Sequence, residues 1–419
     1  MEESSKVAIF RSWLANKGGF LNPNVVFQQV PSGFNVVAKN SIEEDAAIVS
    51  CPFSLAITPG LARKALNAIL GQAEGLQKWN ERQLVCTYVS LHWILANDPS
   101  LPPELEHGPY IDMLPNPLQL RTSVYFTTDE LEAFRGTNIY GATIDRINTW
   151  RSEWEQCVKD LQTHHFSIAS QYSPDHYQRA ATYLSSRAFP STLLSKQPTL
   201  ISQPDSYPVL LPGVDTLNHA RAQPVSWVVS HPNSTTHPPS SSKDSEPSIS
   251  LVLHNETPAG AELFNNYGLK PNSELILGYG FTLPNNPDDT IVLKIGGADV
   301  KWEVGRNALG IEPVWEAVKA AVAVQTGPET SDKGATDEDV SPYEMELWAT
   351  ETLTEMVEGL LSRLPVIPKT SEKLRPEVRT MLEHYVEGQQ SILQSIVQFA
   401  QDKESSIIEY AQSQGVKLV

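Results

Sequence analysis

Residues 209 to 281 decide the fold of this chain. The stretch begins VLLPGVDTLNHA (209–220) and ends ELFNNYGLKPNSELILGYGF (262–281). An apolar Val-Leu-Leu run leads into a Pro-Gly turn, the punctuation expected where a strand ends. Three polar residues that can hold a ligand follow this turn: Asp215, Asn218 and His219. Two tyrosine–glycine pairs close the stretch, at 267–268 and 279–280. We expect the other segments to frame these groups.

The composition limits the classes of function. The chain has 419 residues, of which 40% are hydrophobic and 19% charged, and this length allows two or three domains. Its formal net charge of -18 argues against a nucleic-acid-binding protein, because such binding rests on basic contacts to phosphates. The charge fits a basic protein partner, or a charge that serves solubility alone.

Cysteine and histidine spacing predicts no metal site. Three cysteines are widely separated, which is typical of buried thiols in a reducing compartment. His164 and His165 have no carboxylate or third histidine at ligand spacing, so we interpret them as structural. We also predict no structural zinc after Tyr279, because no cysteine cluster follows it.

Targeting signals are absent from the pattern. The N-terminus lacks a basic region followed by an apolar one, and no run of about 18 apolar residues exists, so neither a signal peptide nor a membrane span is expected. We therefore expect no membrane partner, and a location in the cytoplasm, the nucleus or both. We also expect a monomer.

The segments before residue 209 change from strands to helices. Residues 5–17 pattern as a short amphipathic helix. Short β-branched runs between 25 and 58 predict two or three strands. Gly33 lies among them, either as a turn glycine or where a backbone approaches a ligand closely. From about 60 to 190 the pattern is helical, with clear helices at 81–98, 144–166 and 176–189.

The segments after residue 220 include two more strands, at 225–229 and 249–253, separated by a Ser/Pro-rich loop that needs no fold (231–248). One further strand is expected at 290–297, and helices follow from about 305.

The C-terminal region reads as a helical bundle. Ser341, Pro342 and Glu344 begin a helix in the manner of a capping box. Its predicted apolar face consists of Met345, Trp348, Met356, Leu360 and Leu364. Residues 327–358 carry ten acids and one lysine, which indicates either a solvated face or a docking surface for a basic protein.

Six short segments occur in a consistent order. They are PSGFNVVAK (31–39), GPYIDMLP (108–115), SSRAF (185–189), DTLNH (215–219), NNYGLKPNSELILGYGF (265–281) and YVEGQQSIL (385–393). Together they resemble SET-domain methyltransferases of the Rubisco large-subunit methyltransferase-like branch. This resemblance spans nearly the whole chain.

The resemblance implies an α+β fold, in which a mixed, short-stranded β SET fold is interrupted by a helical insertion and followed by an all-α bundle. The implied domains are the first part of the SET domain (1–59), the helical insertion (60–190), the second part of the SET domain (191–300) and a helical substrate-binding-like domain (301–419).

The resemblance also implies a function: a protein-lysine N-methyltransferase that uses S-adenosylmethionine and acts on a non-histone protein, such as a ribosomal protein. It assigns Tyr267 to the catalytic position. The residues that it places around the cofactor are Gly33, Phe34, Arg187, Asn218 and His219. The residues that it places on the substrate side are Asp215, Tyr279 and Phe281.

Three positions depart from the family pattern. Ser32 replaces an acidic residue, Asn35 replaces a glycine, and Ser191 stands where relatives can have a second arginine. Two alternatives therefore stay open: a protein-histidine methyltransferase of the same fold, and a degenerate SET protein that binds a partner without catalysis.

Overall fold

The structure, a computed structural model, describes residues 4–71, 74–231, 246–295, 300–325, 341–367 and 373–416. Most of the predicted Ser/Pro-rich loop and the first part of the acidic 327–358 stretch lie outside the described residues. The chain forms two compact units, residues 1–124 with 144–268 and residues 125–143 with 269–419. These units are defined by contacts within the structure, whereas the predicted domains follow the family resemblance. The predicted domain boundaries are therefore not tested and remain predictions.

Within the described residues, the first unit contains ten strands. They are β1 (Phe20–Leu21), β2 (Val25–Val30), β3 (Gly33–Ala38), β4 (Ala46–Pro52), β5 (Phe189–Pro190), β6 (Pro208–Val209), β7 (Asn218–His219), β8 (Val225–Ser230), β9 (Ser248–Leu253) and β10 (Phe264–Asn265). Strands β1, β4, β9 and β8 form an antiparallel sheet in that order, and β2 pairs with β3 as a hairpin. Short pairs join β5 to β6 and β7 to β10. The strands predicted between 25 and 58 and at 225–229 and 249–253 are confirmed.

Strand β9 shows why the sheet forms. Ile249, Leu251 and Leu253 are fully buried, while the residues between them are half-buried, as a period of two requires. The alternation read in the sequence therefore fixes which face of β9 enters the core.

The helices that contribute to the first unit are α1 (Ser5–Asn16), α2 (Pro59–Leu70), α3 (Glu81–Ile94), α4 (Gly108–Ile111), α6 (Asn138–Gln162, from residue 144), α7 (Phe166–Gln171) and α8 (Pro174–Arg187). Helix α3 packs against α2 and α8, and every residue from Gln83 to His92 is buried. Ser173 begins α8 with a capping box. Helix α6 starts six residues before its predicted start at residue 144.

The second unit contains α5 (Thr128–Glu132), the first turns of α6, α9 (Asn272–Gly278), β11 (Thr290–Leu293), β12 (Trp302–Gly305), α10 (Glu312–Gln325), α11 (Pro342–Leu361) and α12 (Pro376–Ser413). Helices α10, α11 and α12 pack together around a shared apolar core, which confirms the predicted C-terminal bundle. Ser341 begins α11 with the predicted capping box.

The predicted apolar face of α11 is partly wrong. Trp348 is 40% exposed, and Leu364 lies beyond the last helical residue. The residues that enter the core are Ala349, Leu353 and Val357, each 0% exposed. Of the predicted face, Met356, Leu360 and Leu364 are partly buried and pack against this core. The prediction fails at Trp348, because its large side chain carries more weight in a hydrophobicity pattern than the small Ala349 beside it.

A charge network around the buried Asp289 holds α12 within the second unit. The Asp289 carboxylate accepts hydrogen bonds from the Asn272 backbone N–H (2.7 Å) and from the Arg306 guanidinium (Nη2, 3.2 Å). The same guanidinium donates two hydrogen bonds, of 2.8 and 2.6 Å, to the carboxylate of Glu387 on α12. Gly388, the next residue, packs against Asp289.

Across the described ranges, no helix is both long and apolar enough to cross a membrane. Within the same ranges, no group of three or more His, Cys, Asp or Glu residues is placed to hold a metal ion. The three cysteines are buried and unbridged.

Candidate active site

A parallel pair of two-residue strands brings the two ends of the 209–281 stretch together. Strand β7 (Asn218–His219) pairs with β10 (Phe264–Asn265), so that Asn218 lies opposite Phe264 and His219 opposite Asn265. Because Tyr267 follows β10 by two residues, this pairing sets Tyr267 beside His219. The DTLNH and NNYG segments, about 50 residues apart in sequence, thus form one site.

Tyr267 is held by three contacts to the DTLNH segment. Its ring stacks on the His219 ring, with centroids 5.1 Å apart and an angle of 24° between the planes. Its backbone N–H donates to His219 Nδ1 (3.0 Å), so the neutral imidazole carries its proton on Nε2. Its hydroxyl donates to the Leu217 carbonyl oxygen (2.8 Å). The phenol therefore has a fixed position and a fixed direction for its single proton.

Asp215 and Arg187 form a buried ion pair. The Arg187 guanidinium (Nη1) donates to the Asp215 backbone carbonyl at 2.8 Å and lies 3.6 Å from the carboxylate oxygen Oδ2. The Tyr110 hydroxyl donates to the same Oδ2 at 2.6 Å. The second carboxylate oxygen, Oδ1, is buried without a hydrogen-bond partner in the part of the chain that the structure describes.

Burial raises the pKa of Asp215 above its ordinary value, although Arg187 and Tyr110 act in the opposite direction. Arg187 was predicted on the cofactor side and Asp215 on the substrate side. The structure places the two in direct contact, where the carboxylate fixes the position of the guanidinium.

Asn218 belongs to a polar cluster with Asn35 and Glu262. Its side-chain nitrogen Nδ2 donates to Glu262 Oε1 (2.8 Å) and to Asn35 Oδ1 (3.1 Å). The Asn35 Nδ2 donates to the other carboxylate oxygen, Glu262 Oε2, at 3.0 Å. The asparagine that departs from the family pattern therefore contacts a residue predicted to bind the cofactor.

Gly33 and Phe34 line a cavity of about 530 Å³ in the first unit. Gly33 has φ of +134°, a conformation that L side chains rarely adopt, and a Cβ there would lie 3.3 Å from Pro115 Cγ. The backbone geometry therefore favours glycine, and the tight approach to Pro115 adds to this preference. The cavity wall also contains Trp93 and Arg179, whose guanidinium lies 4.2 Å from the Trp93 ring centroid.

Tyr279 and Phe281 belong to the second unit. Tyr279 is the C-cap of α9, and its ring lies 6.2 Å from the Phe281 ring in an edge-to-face arrangement. The Lys270 ammonium lies 5.6 Å from the Tyr279 ring centroid, which shows that this aromatic face accepts a cation. Burial raises the pKa of Tyr279 to about 12, so the phenol stays neutral at physiological pH.

Sequence reasoning missed two residues of this site. Tyr110 lies in the GPYIDMLP segment, which was used for the resemblance without a role for its tyrosine. Glu262 begins the quoted ELFNNYG segment but looked like an ordinary surface acid. No spacing rule signals either contact, because Tyr110 meets a carboxylate 105 residues away and Glu262 meets Asn35 across 227 residues.

Solved structures share this architecture over almost the entire chain. The crystal structure of the SET domain of LSMT bound to MeLysine and AdoHcy superposes with a TM-score of 0.68 at 19% identity, and covers 97% of this chain and 94% of that chain. The structure of Rubisco LSMT bound to AdoMet gives a TM-score of 0.64 at 19% identity, and covers 96% and 93%. The chain therefore has the SET fold of these Rubisco LSMT structures.

Curated proteins are similar to this chain in sequence over part of their length. The ribosomal lysine N-methyltransferase set10 of Schizosaccharomyces pombe is 33% identical over 259 residues, which are 62% of this chain and 41% of the relative. The protein-lysine N-methyltransferase EFM1 of Saccharomyces cerevisiae is 26% identical over 322 residues, 66% of this chain and 50% of the relative. The chain thus spans about half the length of these relatives. No protein-family model matches it.

These likenesses confirm the resemblance and the α+β SET fold read from the sequence. The roles of the individual site residues stay predictions.

Proposed function

We propose that this SET-domain chain is an S-adenosylmethionine-dependent protein-lysine N-methyltransferase that acts on a non-histone protein. The observation that carries the proposal is the fixed Tyr267 phenol, stacked on His219 and bonded to the Leu217 carbonyl. The names of the curated relatives, which are ribosomal and protein lysine methyltransferases, support the same activity.

The residues of the first unit fit the chemistry of S-adenosylmethionine. The Arg187 guanidinium has a charge opposite to that of the methionine carboxylate, and it carries further N–H donors besides the one directed at the Asp215 carbonyl. The exposed Asn218 amide offers an acceptor for a donor group of the cofactor. Gly33 and Phe34 offer a close backbone and a ring at a cavity wall. When bound, this cofactor supplies an electrophilic methyl group on a sulfonium.

Tyr267 is suited to orient an amine. Its hydroxyl proton is committed to the Leu217 carbonyl, so towards a substrate the phenol oxygen acts as a hydrogen-bond acceptor. By accepting one N–H of the substrate amine, it directs the nitrogen lone pair away from itself. Methyl transfer is an in-line displacement in which positioning supplies much of the rate, so this fixed acceptor is the feature that the reaction needs.

The substrate lysine must also be neutral. With a pKa of about 10.4, its deprotonation near pH 7.4 costs roughly 4 kcal/mol, and an apolar channel lowers that cost by disfavouring the ammonium. We propose that Tyr279 and Phe281, in the second unit, offer aromatic faces to the substrate, and that Asp215, in the first unit, is a substrate-side residue. The position of the Lys270 ammonium over the Tyr279 ring supports this proposal, because it places a cation against the same aromatic face.

We propose a basic protein as substrate, in the cytosol or nucleus, with the enzyme acting as a monomer. The net charge of -18 supports a basic partner, and so do Glu351, Glu355 and Glu358, which are exposed on α11. Replacement of these three acids by glutamine is expected to weaken substrate binding at low salt. Unchanged affinity at low salt would contradict a role for this face.

The test is transfer of labelled methyl groups from S-adenosylmethionine into a methylation-depleted cell extract. Wild type, Tyr267→Phe and Tyr410→Phe would be compared, with labelled proteins identified by mass spectrometry. Tyr410 is the matched control, because it is 59% exposed and lies far along the chain in α12. We expect a discrete labelled protein, with turnover reduced about 100-fold in Tyr267→Phe and unchanged in Tyr410→Phe.

Cofactor binding separates the possible failures. Tyr267→Phe is expected to bind S-adenosylmethionine like wild type, whereas Asn218→Ala is expected to bind it less tightly. Equal turnover in wild type and Tyr267→Phe would remove the catalytic assignment. Labelling of a histidine instead of a lysine would indicate a protein-histidine methyltransferase. Absence of both cofactor binding and labelling would indicate a SET protein that binds a partner without catalysis.

A further inference from the structure

We infer that Glu262 and Asn35 are positioning residues that set the polarity of the Asn218 amide, so that Asn218 presents a hydrogen-bond acceptor to the cofactor. The inference rests on the proposed function for the identity of the ligand. Its structural part concerns three side chains of the first unit, from β3, β7 and the segment before β10.

The glutamate determines the orientation of both amides. An ionised carboxylate only accepts hydrogen bonds, so Asn218 and Asn35 must each turn their NH2 group towards Glu262. With its nitrogen on Glu262, Asn35 turns its carbonyl oxygen to Asn218 and accepts the second N–H of that amide at 3.1 Å. Both hydrogens of Asn218 Nδ2 are thus engaged.

The consequence is an amide with one defined chemical face. Within the described residues, the Asn218 side-chain oxygen accepts no hydrogen bond, and the side chain is exposed. A ligand at this position therefore meets an acceptor, which selects a donor such as an ammonium or an exocyclic amine. Without Glu262, the amide can rotate by half a turn and present its NH2 group instead.

The cluster is not needed to hold the backbone. The segment around Glu262 is already tied to β3 by the hydrogen bonds Ala38 N–H to Ala261 carbonyl (2.9 Å) and Leu263 N–H to Val36 carbonyl (2.8 Å). A bridge between Val37 and Glu262 adds to them. Variants of the side chains are therefore expected to fold, and an effect on ligand affinity will report the orientation of Asn218.

The same geometry explains why asparagine is tolerated where relatives have glycine. Asn35 lies within the regular β2–β3 pairing, opposite Gln28, so it needs no unusual backbone conformation. Its side chain completes the hydrogen bonds of Asn218. Asn35, which departs from the family pattern, thus contributes a hydrogen bond to the site.

The test measures affinity for S-adenosylhomocysteine, a cofactor product that does not turn over, by calorimetry on the full chain. Glu262→Ala is expected to bind about tenfold more weakly, equivalent to about 1.4 kcal/mol. Asn35→Gly is expected to lose about threefold, because one of the two contacts to Asn218 remains. Glu256→Ala is the matched control, since Glu256 accepts a hydrogen bond from Ser41 (3.0 Å) on the surface of the same unit, and it should stay within twofold of wild type.

A double-mutant cycle distinguishes positioning from direct contact. If Glu262 acts through Asn218, then adding Glu262→Ala to Asn218→Ala produces no further loss. Additive losses, or a Glu262→Ala variant within twofold of wild type, would overturn the inference.

An NMR measurement covers the case in which the wild type binds no cofactor at all, which would overturn the proposed function. The side-chain amide resonances of Asn218, assigned with Asn218→Ala, are expected to shift and to exchange faster with water in Glu262→Ala. Resonances unchanged from wild type would overturn the positioning role, whatever the ligand.

Discussion

Replacement of Gly388 by alanine should destabilise the protein, although helix propensity predicts the opposite. Gly388 lies inside the 38-residue helix α12, where alanine is normally favoured over glycine by about 1 kcal/mol. A Cβ built on Gly388, however, would lie 2.9 Å from Asp289 Cγ and closer still to Oδ2. Carbon atoms do not approach so closely, so the carboxylate must move.

The cost of that movement follows from the contacts of Asp289. This carboxylate is 2% exposed and accepts hydrogen bonds from Asn272 N–H (2.7 Å), Asn272 Nδ2 (3.2 Å) and Arg306 Nη2 (3.2 Å). Hydrogen bonds to a charged group are worth about 1.5–3 kcal/mol each, and a shift of about 1 Å would break one or two of them. After the helix-propensity gain of about 1 kcal/mol is subtracted, the expected loss is about 0.5–5 kcal/mol.

Urea titration, followed by tryptophan fluorescence, measures this loss as a lower transition midpoint. The matched control is Gly141→Ala on α6, because Gly141 is exposed and its added Cβ would meet nothing within 4 Å. The control should gain about 0.5–1 kcal/mol. If Gly388→Ala is as stable as the control, the close packing of α12 on Asp289 is wrong.

Two further predictions concern buried ionisable groups. Arg375→Ala should cost about 3 kcal/mol at pH 7, because the 0% exposed Glu130 side chain loses guanidinium bonds of 2.7 Å from Nε and Nη2. Burial raises the pKa of Glu130, but hydrogen bonds from Arg375 and Thr127 outweigh it and hold the pKa below its usual value. This stabilisation is therefore present above about pH 4.3 and is lost as the pH falls, so melting curves of wild type and variant should converge in acid. Burial also lowers the pKa of His92 to about 3, so below about pH 6.5 the unfolded chain binds a proton that the folded chain does not. The free energy of unfolding therefore decreases by about 1.4 kcal/mol for each pH unit by which the pH is lowered. His92→Leu should remove about 2 kcal/mol of the loss between pH 7 and 5, and equal pH slopes in the two proteins would contradict this reasoning.

Local features of the fold could be read from the sequence. Ser173 and Ser341 begin helices because a hydroxyl acceptor, a proline and a suitable third residue satisfy the first backbone N–H groups within a single turn. Strand β9 follows from strict alternation of its apolar residues. These features depend on neighbours a few residues away, so the sequence contains all the information that they need. The ordered set of six segments likewise predicted the SET fold.

Contacts between distant segments were decided by the tertiary structure alone. The sequence marked Asp215, Asn218 and Tyr267 as functional, but it did not show that Tyr110 bonds to Asp215 or that Glu262 orients Asn218. The exposure of Trp348 was also hidden, because the phase of an amphipathic helix depends on the surface against which it packs. Such contacts join residues 40 to more than 200 positions apart, and their geometry exists only once the strands and helices between them are in place. The sequence therefore predicted which residues carry the chemistry, and the tertiary structure decided how each of them is held.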